Sequence, residues 1–298
     1  MIKRTLYFGN PAYLKTNNEQ LIIEMKDSGE TKETPIEDIG LLILDHQQIT
    51  LTQALLAKLL SNNTAVITCD QTHHPTGMWL NLDGNTLQSQ KFQAQIETSV
   101  PLKKQLWQQT VIAKIENQAA LLKNQRQENK PLWTYAAEVK SGDSENNEAK
   151  AAAYYWKRIF PDFIEFRRER YGPPPNNLLN YGYAILRAMV ARSLTASGLL
   201  PTLGIHHRNQ YNAYCLADDI MEPYRPFVDK VVCNIIRSNG KYLEMTPKMK
   251  TELLAIPAMD VKLEGQKSPM MNAIQRTTAS LSKCFEGKTR KLLYPAME

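Results

Sequence analysis

The chain of 298 residues changes its hydrophobic periodicity near residue 85, and this change limits the fold more than any other feature. Before it, short runs rich in aromatic and β-branched residues, such as 5–8 and 20–25, are broken by Gly, Asn and Pro, as in strands and hairpins. After it, segments rich in Gln, Lys, Ala and Leu carry apolar residues at helical spacing. We therefore predict an α+β protein of two domains, with a β-rich domain over 1–85 that contains one helix and a larger all-α domain over 86–298.

The boundaries of several helices can be predicted from local signals. Thr50 and Gln53 form a capping-box pattern, which predicts that the helix of the first domain covers 51–60. The helices predicted for the second domain cover 88–97, 102–126, 131–140, 145–159, 176–197, 212–237, 247–255 and 268–286.

The composition excludes several protein classes. Hydrophobic residues make up 43% and charged residues 22% of the chain, which is typical of a soluble globular protein and not of a disordered one. No apolar run approaches the length of about 18 residues that a membrane span needs, and the first residues do not form a signal peptide, so we expect a cytoplasmic protein. The four cysteines form no CxxC pair, which predicts reduced, buried thiols and not a zinc finger or a disulfide framework.

The net charge of +6 is unevenly distributed along the chain. Residues 1–85 contain six Lys or Arg against ten Asp or Glu, a net charge of −4, whereas residues 86–298 contain thirty against twenty, a net charge of +10. A basic second domain is the expected electrostatic footprint of a protein that binds a phosphate backbone. A solvating surface explains the same charge, so charge alone does not decide between the two.

The segment from Leu203 to Pro226 has the composition of a divalent-metal site. Asp219 and Glu222 are three residues apart and share one face of a helix, and His207 precedes them by twelve and fifteen residues. Imidazole nitrogen and carboxylate oxygen that converge on one point bind divalent cations. A histidine near two acids is also commonly a solvated or salt-bridged group, so this spacing by itself leaves both interpretations open.

Three stretches together resemble the CRISPR-associated integrase family, the catalytic subunit of the complex that inserts new spacers into CRISPR arrays. They are Gly-Ile-His-His at 204–207, Asp219 to Pro226 with its Met-Glu-Pro-Tyr-Arg-Pro ending, and Glu148 with the Ala-rich, Tyr/Trp-containing run that follows it. The chain length and the Met-Glu-Pro-Tyr-Arg-Pro motif most resemble the type II lineage of this family, which accompanies single-protein RNA-guided effectors.

The resemblance implies a set of catalytic residues that also hold a metal ion. Glu148, His207 and Glu222 would bind Mg²⁺ or Mn²⁺, because two of the three ligands are hard oxygens. His207 is matched in place of His206 because only that choice puts Asp219 and Glu222 at the family's spacing. Asp219 is expected to bind the ion directly, to bind it through water or to orient a ligand, and His206 is an auxiliary neighbour.

Each of these assignments has a structural alternative. On sequence position alone, Glu148 is better explained as an acid in a first helical turn that interacts with the helix dipole, after the turn at 141–144. The apolar, aromatic run behind it and the family resemblance favour an inward-facing carboxylate, which needs a cation. Asn180 and Tyr183, at spacings that share a helix face with Arg187, either support the site or satisfy one another.

Arginines mixed with aromatic residues over 160–175 indicate a DNA contact, because guanidinium groups pair with phosphates and rings stack on bases. The alternative is that Phe160, Phe163 and Phe166 pack in the core while Arg and Glu pair with each other. Pro223 and Pro226 predict a break just beyond Glu222 that would expose Arg225 beside the metal. The candidate DNA-binding residues are Arg167, Arg168, Arg170, Arg187 and Arg225.

The resemblance implies a reaction and a set of partners. The 3′-OH of a short DNA fragment would attack the phosphate at a CRISPR repeat boundary by transesterification, and water in its place would make the same site an endonuclease. The implied partners are DNA, a second copy of the chain in a homodimer, a small dimeric partner subunit and, as a further candidate, the RNA-guided effector nuclease. Two alternatives stay open: a non-catalytic helical DNA-binding scaffold, and a metal-dependent DNA nuclease outside adaptation.

Overall fold

The computed structural model describes residues 3–163, 166–239 and 244–298. The strands are β1 (Arg4–Phe8), β2 (Ala12–Asn17), β3 (Gln20–Met25), β4 (Thr31–Pro35), β5 (Ile39–Leu44), β6 (Thr50–Leu51), β7 (Ala65–Cys69), β8 (Pro75–Trp79), β9 (Asp260–Leu263) and β10 (Gln266–Pro269). The helices are α1 (Gln53–Ser61), α2 (Gln88–Glu97), α3 (Val100–Asn124), α4 (Lys130–Ala137), α5 (Asn147–Ile159), α6 (Asn176–Ala196), α7 (Cys215–Met221), α8 (Arg225–Asn239), α9 (Pro247–Leu254) and α10 (Met270–Phe285).

Two four-stranded sheets form the N-terminal part. One has the order β1-β5-β7-β8, in which β1, β5 and β7 are parallel and β8 is antiparallel to β7. The other has the order β4-β3-β2-β6. All six residues of the apolar run in β5 are buried, as expected for an inner strand of a parallel sheet that is covered on both faces.

The sheet that contains β5 lies between two hydrophobic cores and contributes side chains to both. Leu41 and Ile43 pack with the helices of the C-terminal part, whereas Leu42 and Leu44 face the second sheet and α1. This follows from the alternation of side chains along a strand. The division into two domains at residue 85 therefore stays a prediction, because apolar contacts cross that boundary.

The α+β class is confirmed, with strands in the N-terminal region and helices in the C-terminal part. The prediction of an all-helical C-terminal part needs one correction, because β9 and β10 form an antiparallel hairpin there. Their four-residue lengths give a period-2 signal too short to separate from a loop. The helix predicted over 51–60 begins later, since Thr52 and not Thr50 caps it, with its hydroxyl accepting from the Leu55 amide.

The helix predicted over 212–237 is interrupted where the prolines indicated. A single 3₁₀ turn, Glu222–Tyr224, separates α7 from α8. The side-chain amide of Asn117 on α3 donates to the Pro223 carbonyl at 2.7 Å, so the break is held against the central helix. Glu222 therefore sits at a fixed bend beside α3.

Two further expectations can be compared with the structure. The four cysteines are free and buried, as predicted. Across the three described ranges, every helix is too short or too polar to cross a membrane.

Candidate active site

Glu148 and Glu222 both contact Lys114, a residue that was not predicted from sequence. The Lys114 ammonium on α3 donates to Glu148 Oε1 at 2.6 Å and lies 2.6 Å from Glu222 Oε2. The second contact is a close ion pair with poorer hydrogen-bond geometry than the first. The three side chains are 11%, 22% and 8% exposed, respectively, which makes this a charge cluster largely removed from water.

The start of α5 fixes the position of Glu148. The Asp143 carboxylate accepts hydrogen bonds from the backbone amides of Asn147 and Glu148, at 2.9 and 3.0 Å. It thereby satisfies two of the amides that a helix leaves unpaired at its N-terminus. Because Asp143 takes that role, the Glu148 side chain is free to point at Lys114, so the inward-facing alternative of the sequence analysis is the one observed.

Neighbouring charges control the ionisation of Glu222. Burial by itself would raise the pKa of this carboxyl, but the charges of Arg225 and Lys114 outweigh burial and hold its pKa at about 2. Burial would likewise lower the pKa of Lys114, yet Glu222 and Glu148 raise it above its ordinary value. Lys114 and Glu222 are therefore both charged at neutral pH.

His207 is held by Asp219, which is completely buried. Asp219 Oδ1 contacts His207 Nδ1 at 2.5 Å, and the carboxylate also accepts from the backbone amides of His206 and His207. The hydrogen bond to Asp219 raises the pKa of His207, with further contributions from Glu222 and Glu148. If Nδ1 donates to Asp219, the free ring nitrogen is Nε2, and the carboxylate fixes that tautomer.

His206 has a different environment from His207. Its ring stacks on Trp107 of α3, with ring centroids 4.1 Å apart and planes 4° from parallel. Burial, followed by the charge of His207, lowers the pKa of His206. His206 therefore packs the loop against α3 through Trp107, and the choice of His207 as the ligand stays a prediction.

A small cavity of about 140 Å³ adjoins Glu222. Tyr183 is on its wall, and the Arg225 guanidinium lies 4.5 Å from the Tyr183 ring centre while Arg225 Nε donates to Glu222 Oε1 at 2.7 Å. The prediction that the proline break would expose Arg225 is wrong, because this pairing leaves only 24% of its side chain exposed. The residues that line the cavity are Lys114, Gln118, Trp156, Arg168, Tyr183, Glu222, Arg225 and Asp229.

Asp229 on α8 is a third buried carboxylate of this region. Tyr155 and Tyr183 donate to its two oxygens at 2.7 and 2.5 Å. Burial raises its pKa to about 6, and the tyrosine hydrogen bonds with the charges of Arg225 and Arg168 limit the rise. Tyr183 therefore binds Asp229 through its hydroxyl, while its ring contacts Arg225, the partner of Glu222.

The family of the chain can be settled by comparison with known proteins. The family model described as "CRISPR associated protein Cas1" matches residues 6–246. The chain is also 36% identical over 295 residues to the CRISPR-associated endonuclease Cas1 of Neisseria meningitidis serogroup C, covering 98% of this chain and 95% of that protein. This chain belongs to the Cas1 family. The match to the Neisseria protein is consistent with the type II lineage inferred from the sequence.

Two solved structures share the fold of this Cas1 chain. A casposase bound to an integration product matches with a TM-score of 0.79 and 21% identity, over 97% of this chain and 92% of that chain. A Cas6-RT-Cas1–Cas2 complex matches with a TM-score of 0.75 and 20% identity, over 98% of this chain and 36% of that chain. At these identities the likeness concerns the fold alone.

The described ranges of this Cas1 chain contain no group of three or more His, Cys, Asp or Glu arranged to hold a metal ion. Lys114 takes the oxygens of Glu148 and Glu222 that a cation would bind. The chemistry of the donor set nevertheless fits a hard divalent ion, since it combines two ionised carboxylates with one imidazole. Glu222 Oε2 is buried with the Lys114 ammonium as its close charge partner, so displacement of that ammonium would present this oxygen to a cation.

The loop arginines are divided between structural contacts and solvent. Arg168 donates to Asn176 and Asn180, and Asn180 in turn donates to the Arg170 carbonyl. Asn180 therefore stabilises the loop and does not reach the carboxylates, so its auxiliary role at the site is not observed. Arg167 and Arg170 are exposed, which leaves DNA contact by them a prediction.

The phenylalanines of this loop follow the alternative interpretation, whereas Tyr171 of the same loop is 90% exposed. Phe160 and Phe166 lie 4.9 Å apart between ring centroids, and Phe166 also contacts Trp156 at 5.8 Å. They pack on the core and are not displayed for base stacking. The predicted pairing of Arg with Glu is absent from this cluster as described; Arg168 instead reaches the Glu169 backbone carbonyl.

Arg187 pairs with Asp218 and not with Asp219. Its guanidinium makes a bidentate contact of 2.7 and 2.9 Å with the Asp218 carboxylate, which also accepts from the Asn212 side chain. The pair ties α6 to α7, and the Arg187 side chain is still 41% exposed. A DNA contact by Arg187 stays a prediction.

Four residues around the site were not predicted from sequence: Lys114, Gln118, Trp107 and Asp229. One signal for the first two was present: Thr110, Lys114 and Gln118 follow one another every four residues along a helix face whose other members are buried. A polar row on a buried helix face needs partners, so it marks a site or a network. Asp229 and Trp107 carried no comparable signal.

Proposed function

We propose that this Cas1 chain is a divalent-metal-dependent DNA integrase and endonuclease that joins the 3′-OH ends of short DNA fragments to CRISPR repeat boundaries. The observation that supports it best is the convergence of Glu148 and Glu222 on one cation, Lys114, near enough to the imidazole that Asp219 fixes for both carboxylates to raise the pKa of His207. Carboxylates from two separate elements are held together and largely removed from water, as in a site for a hard cation.

Each side chain has a defined task in this proposal. Glu148, Glu222 and His207 through Nε2 would hold Mg²⁺ or Mn²⁺, and Asp219 keeps the imidazole in the required tautomer and orientation. The bound ion would polarise the scissile phosphodiester and lower the pKa of the attacking hydroxyl. Arg225 and Arg168, on the cavity wall, would pair with phosphate oxygens.

The reaction is a transesterification in which the 3′ oxygen forms a bond to phosphorus while the bond to the leaving 3′ oxygen of the repeat strand breaks. One phosphodiester replaces another, so no nucleoside triphosphate is consumed. Water as the attacking group would give endonuclease cleavage at the same site. The casposase match, whose structure holds an integration product, supports the joining reaction.

The proposed partners follow from the family. Fragment duplex and leader-repeat DNA would be the substrates, and a small Cas2-type subunit would assemble with homodimers of this chain. The Cas6-RT-Cas1–Cas2 complex among the fold relatives supports the Cas2-type partner. A contact with an RNA-guided effector nuclease is a further proposal for the type II lineage.

The test uses a supercoiled plasmid with a leader-repeat, a short duplex, Mn²⁺ and the small partner subunit. Covalent joining supports the integrase, nicking without joining supports a plain nuclease, and DNA binding with intact strands supports a scaffold. We expect Glu148→Gln, Glu222→Gln and His207→Ala each to lower joining by at least about a hundredfold while DNA binding persists, because each weakens the ion's stabilisation of the transition state. Chelation of the metal should have the same effect.

The matched control is Glu145→Gln, which removes an exposed carboxylate three residues before Glu148. Its joining activity should equal that of the wild type. Full activity of any one of the three site variants would remove that residue from the ligand set, and full activity in excess chelator would refute the metal-dependent mechanism.

A further inference from the structure

Lys114 is a buried cation whose two partners are the proposed metal ligands. It reaches Glu148 at the start of α5 and Glu222 at the bend before α8, each at 2.6 Å. Without it, two ionised carboxylates would lie close together away from water and would repel each other. The ammonium therefore supplies, in the metal-free protein, the charge that a divalent ion would bring.

The two contacts of Lys114 have the same length but differ in geometry. The contact with Glu148 is a well-aligned hydrogen bond, whereas the one with Glu222 Oε2 is an ion pair with a poorer angle. The other oxygen of Glu222 accepts from Arg225, so Glu222 stays in place without Lys114. The lysine can therefore leave Glu222 without breaking a well-formed hydrogen bond.

The adjoining cavity offers Lys114 a second position. Its volume of about 140 Å³ exceeds that of several waters, each of which takes up about 30 Å³ in the liquid. Gln118, one turn further along α3, is 3% exposed, and its Oε1 has no hydrogen-bond partner. Residues four apart on a helix are neighbours, and a lysine has three donors on a flexible stem. An acceptor thus stands within the reach of Lys114, with the Asp229 carboxylate on the same wall.

We propose that Lys114 is an exchangeable internal counter-ion of the metal site. It keeps Glu148 and Glu222 together before the metal arrives, and it turns into the cavity towards Gln118 when a divalent cation takes its place between them. This inference rests on the proposed function. Its consequence is that Lys114 competes with the metal, so the protein binds the ion more weakly than its ligands alone would.

The exchange also places a charge where the reaction needs it. In the cavity, the ammonium of Lys114 would join the guanidinium groups of Arg168 and Arg225, which line the same space. Three cations beside the metal ligands can pair with the oxygens of a phosphodiester. Lys114 is thus a positioning residue for the carboxylates before metal binding and a phosphate contact after it.

The experiment measures Mn²⁺ binding to the full chain without DNA, by calorimetry and by the spin-resonance signal of free Mn²⁺. Lys114→Met keeps the apolar stem and removes the charge, so we expect the Kd for Mn²⁺ to fall by at least about tenfold, since contact between unit charges is worth more than that even at a protein's effective dielectric constant. Lys114→Arg keeps the charge and can bind both carboxylates through its fork, so its Kd should rise.

A third variant tests the second position of the lysine. Gln118→Leu removes the acceptor that Lys114 would reach in the cavity, so it should weaken Mn²⁺ binding severalfold. In the Lys114→Met background, the same substitution should have no effect on Mn²⁺ binding. An equal effect of Gln118→Leu in both backgrounds would refute the exchange. Thermal unfolding of Lys114→Met is recorded in parallel, because a loss of folding would also alter Mn²⁺ binding. Mn²⁺ should raise the unfolding midpoint of Lys114→Met by more than it raises the midpoint of the wild type.

The outcomes separate this inference from the proposed function. If wild-type binding of Mn²⁺ is lost in the Glu148→Gln/Glu222→Gln double variant, the metal site stands. If Lys114→Met then binds Mn²⁺ no more tightly than the wild type, or Lys114→Arg binds it more tightly, the counter-ion role alone is overturned. If neither the wild type nor Lys114→Met binds Mn²⁺, the proposed metal site fails and the counter-ion role fails with it.

Discussion

Gly204 lacks a side chain at a position where there is no room for one. A Cβ there would lie 2.4 Å from the His207 carbonyl oxygen and 2.8 Å from Asp219 Oδ2. The first of these contacts is with backbone, which cannot rotate away as a flexible side chain can. The glycine thus allows the loop to close on Asp219, and that closure places the imidazole of His207.

Gly204→Ala should therefore displace His207 without unfolding the protein. We expect joining and nicking to fall by about a hundredfold, the loss that a misplacement of about 1 Å can cause, while the far-UV circular dichroism stays unchanged. The control is Leu203→Ala at the neighbouring exposed position, which should keep its activity. Wild-type activity in Gly204→Ala would mean that the loop accommodates a methyl group and that its closure is not required.

At the scale of elements, the site depends on helices that meet around polar side chains. Asp229 of α8 accepts from Tyr155 of α5 and Tyr183 of α6, so one carboxylate joins three helices. On α3, Asn117 binds the bend at Pro223 while Lys114 binds the carboxylates on either side. These contacts fix the distance between α5 and the bend more tightly than apolar packing alone, because hydrogen bonds are directional.

The raised pKa of Asp229, about 6 against an ordinary value of 3.8, makes stability depend on pH. Between these two values the folded protein holds a proton that the unfolded chain has lost, so the stabilisation is complete below the ordinary pKa and disappears as pH rises through the folded pKa. We expect the free energy of unfolding of the wild type to fall by up to about 3 kcal/mol relative to Asp229→Asn between pH 4 and pH 7.

Urea unfolding of both proteins at several pH values measures this difference. Asp162→Asn, which changes an exposed carboxylate, serves as the control and should differ from the wild type by a constant amount. A gap between wild type and Asp229→Asn that does not change from pH 4 to pH 7 would mean that Asp229 is ionised at its ordinary pKa in the folded protein.

At the scale of the whole molecule, a buried ion pair joins the β-rich part to the helical part. Asp45, at the end of β5, is 1% exposed, and Lys250 of α9 contacts its Oδ2 at 2.8 Å. Tyr7 donates to the same oxygen, and His73 contacts the other at 2.9 Å. The sheet and the helices are thus connected by a polar contact as well as by their shared apolar core.

Lys250→Met should destabilise the protein by about 3 kcal/mol, because removal of one partner leaves a buried charge without its counter-ion. The double variant Lys250→Met/Asp45→Asn should recover most of this loss, since both charges are then gone. Chemical denaturation gives the free energies of unfolding. Arg276→Met breaks an exposed pair with Glu264 and should have little effect, and a similarly small effect of Lys250→Met would show that the buried pair does not stabilise the interface.

The sequence by itself determined the order and type of most elements, because their signals are local. The change of periodicity at residue 85 separated strands from helices, and the prolines after Glu222 located the bend. The bounds of α2 and α6 agree with prediction almost to the residue. Glu148, His207, Asp219 and Glu222 were proposed as site residues because their spacing resembles that of a known family, and their roles stay predictions.

Only the tertiary structure decided which charged and polar groups surround those residues. Lys114 lies 34 positions from Glu148, and Tyr155 lies 74 positions from Asp229, so no local pattern records that they touch. The environment of Arg225, the preference of Arg187 for Asp218 and the hairpin of β9 and β10 were likewise settled by packing. The physical reason is that an ionisable side chain is stabilised or destabilised by whichever groups folding brings within a few ångströms of it, and separation along the chain does not specify those groups.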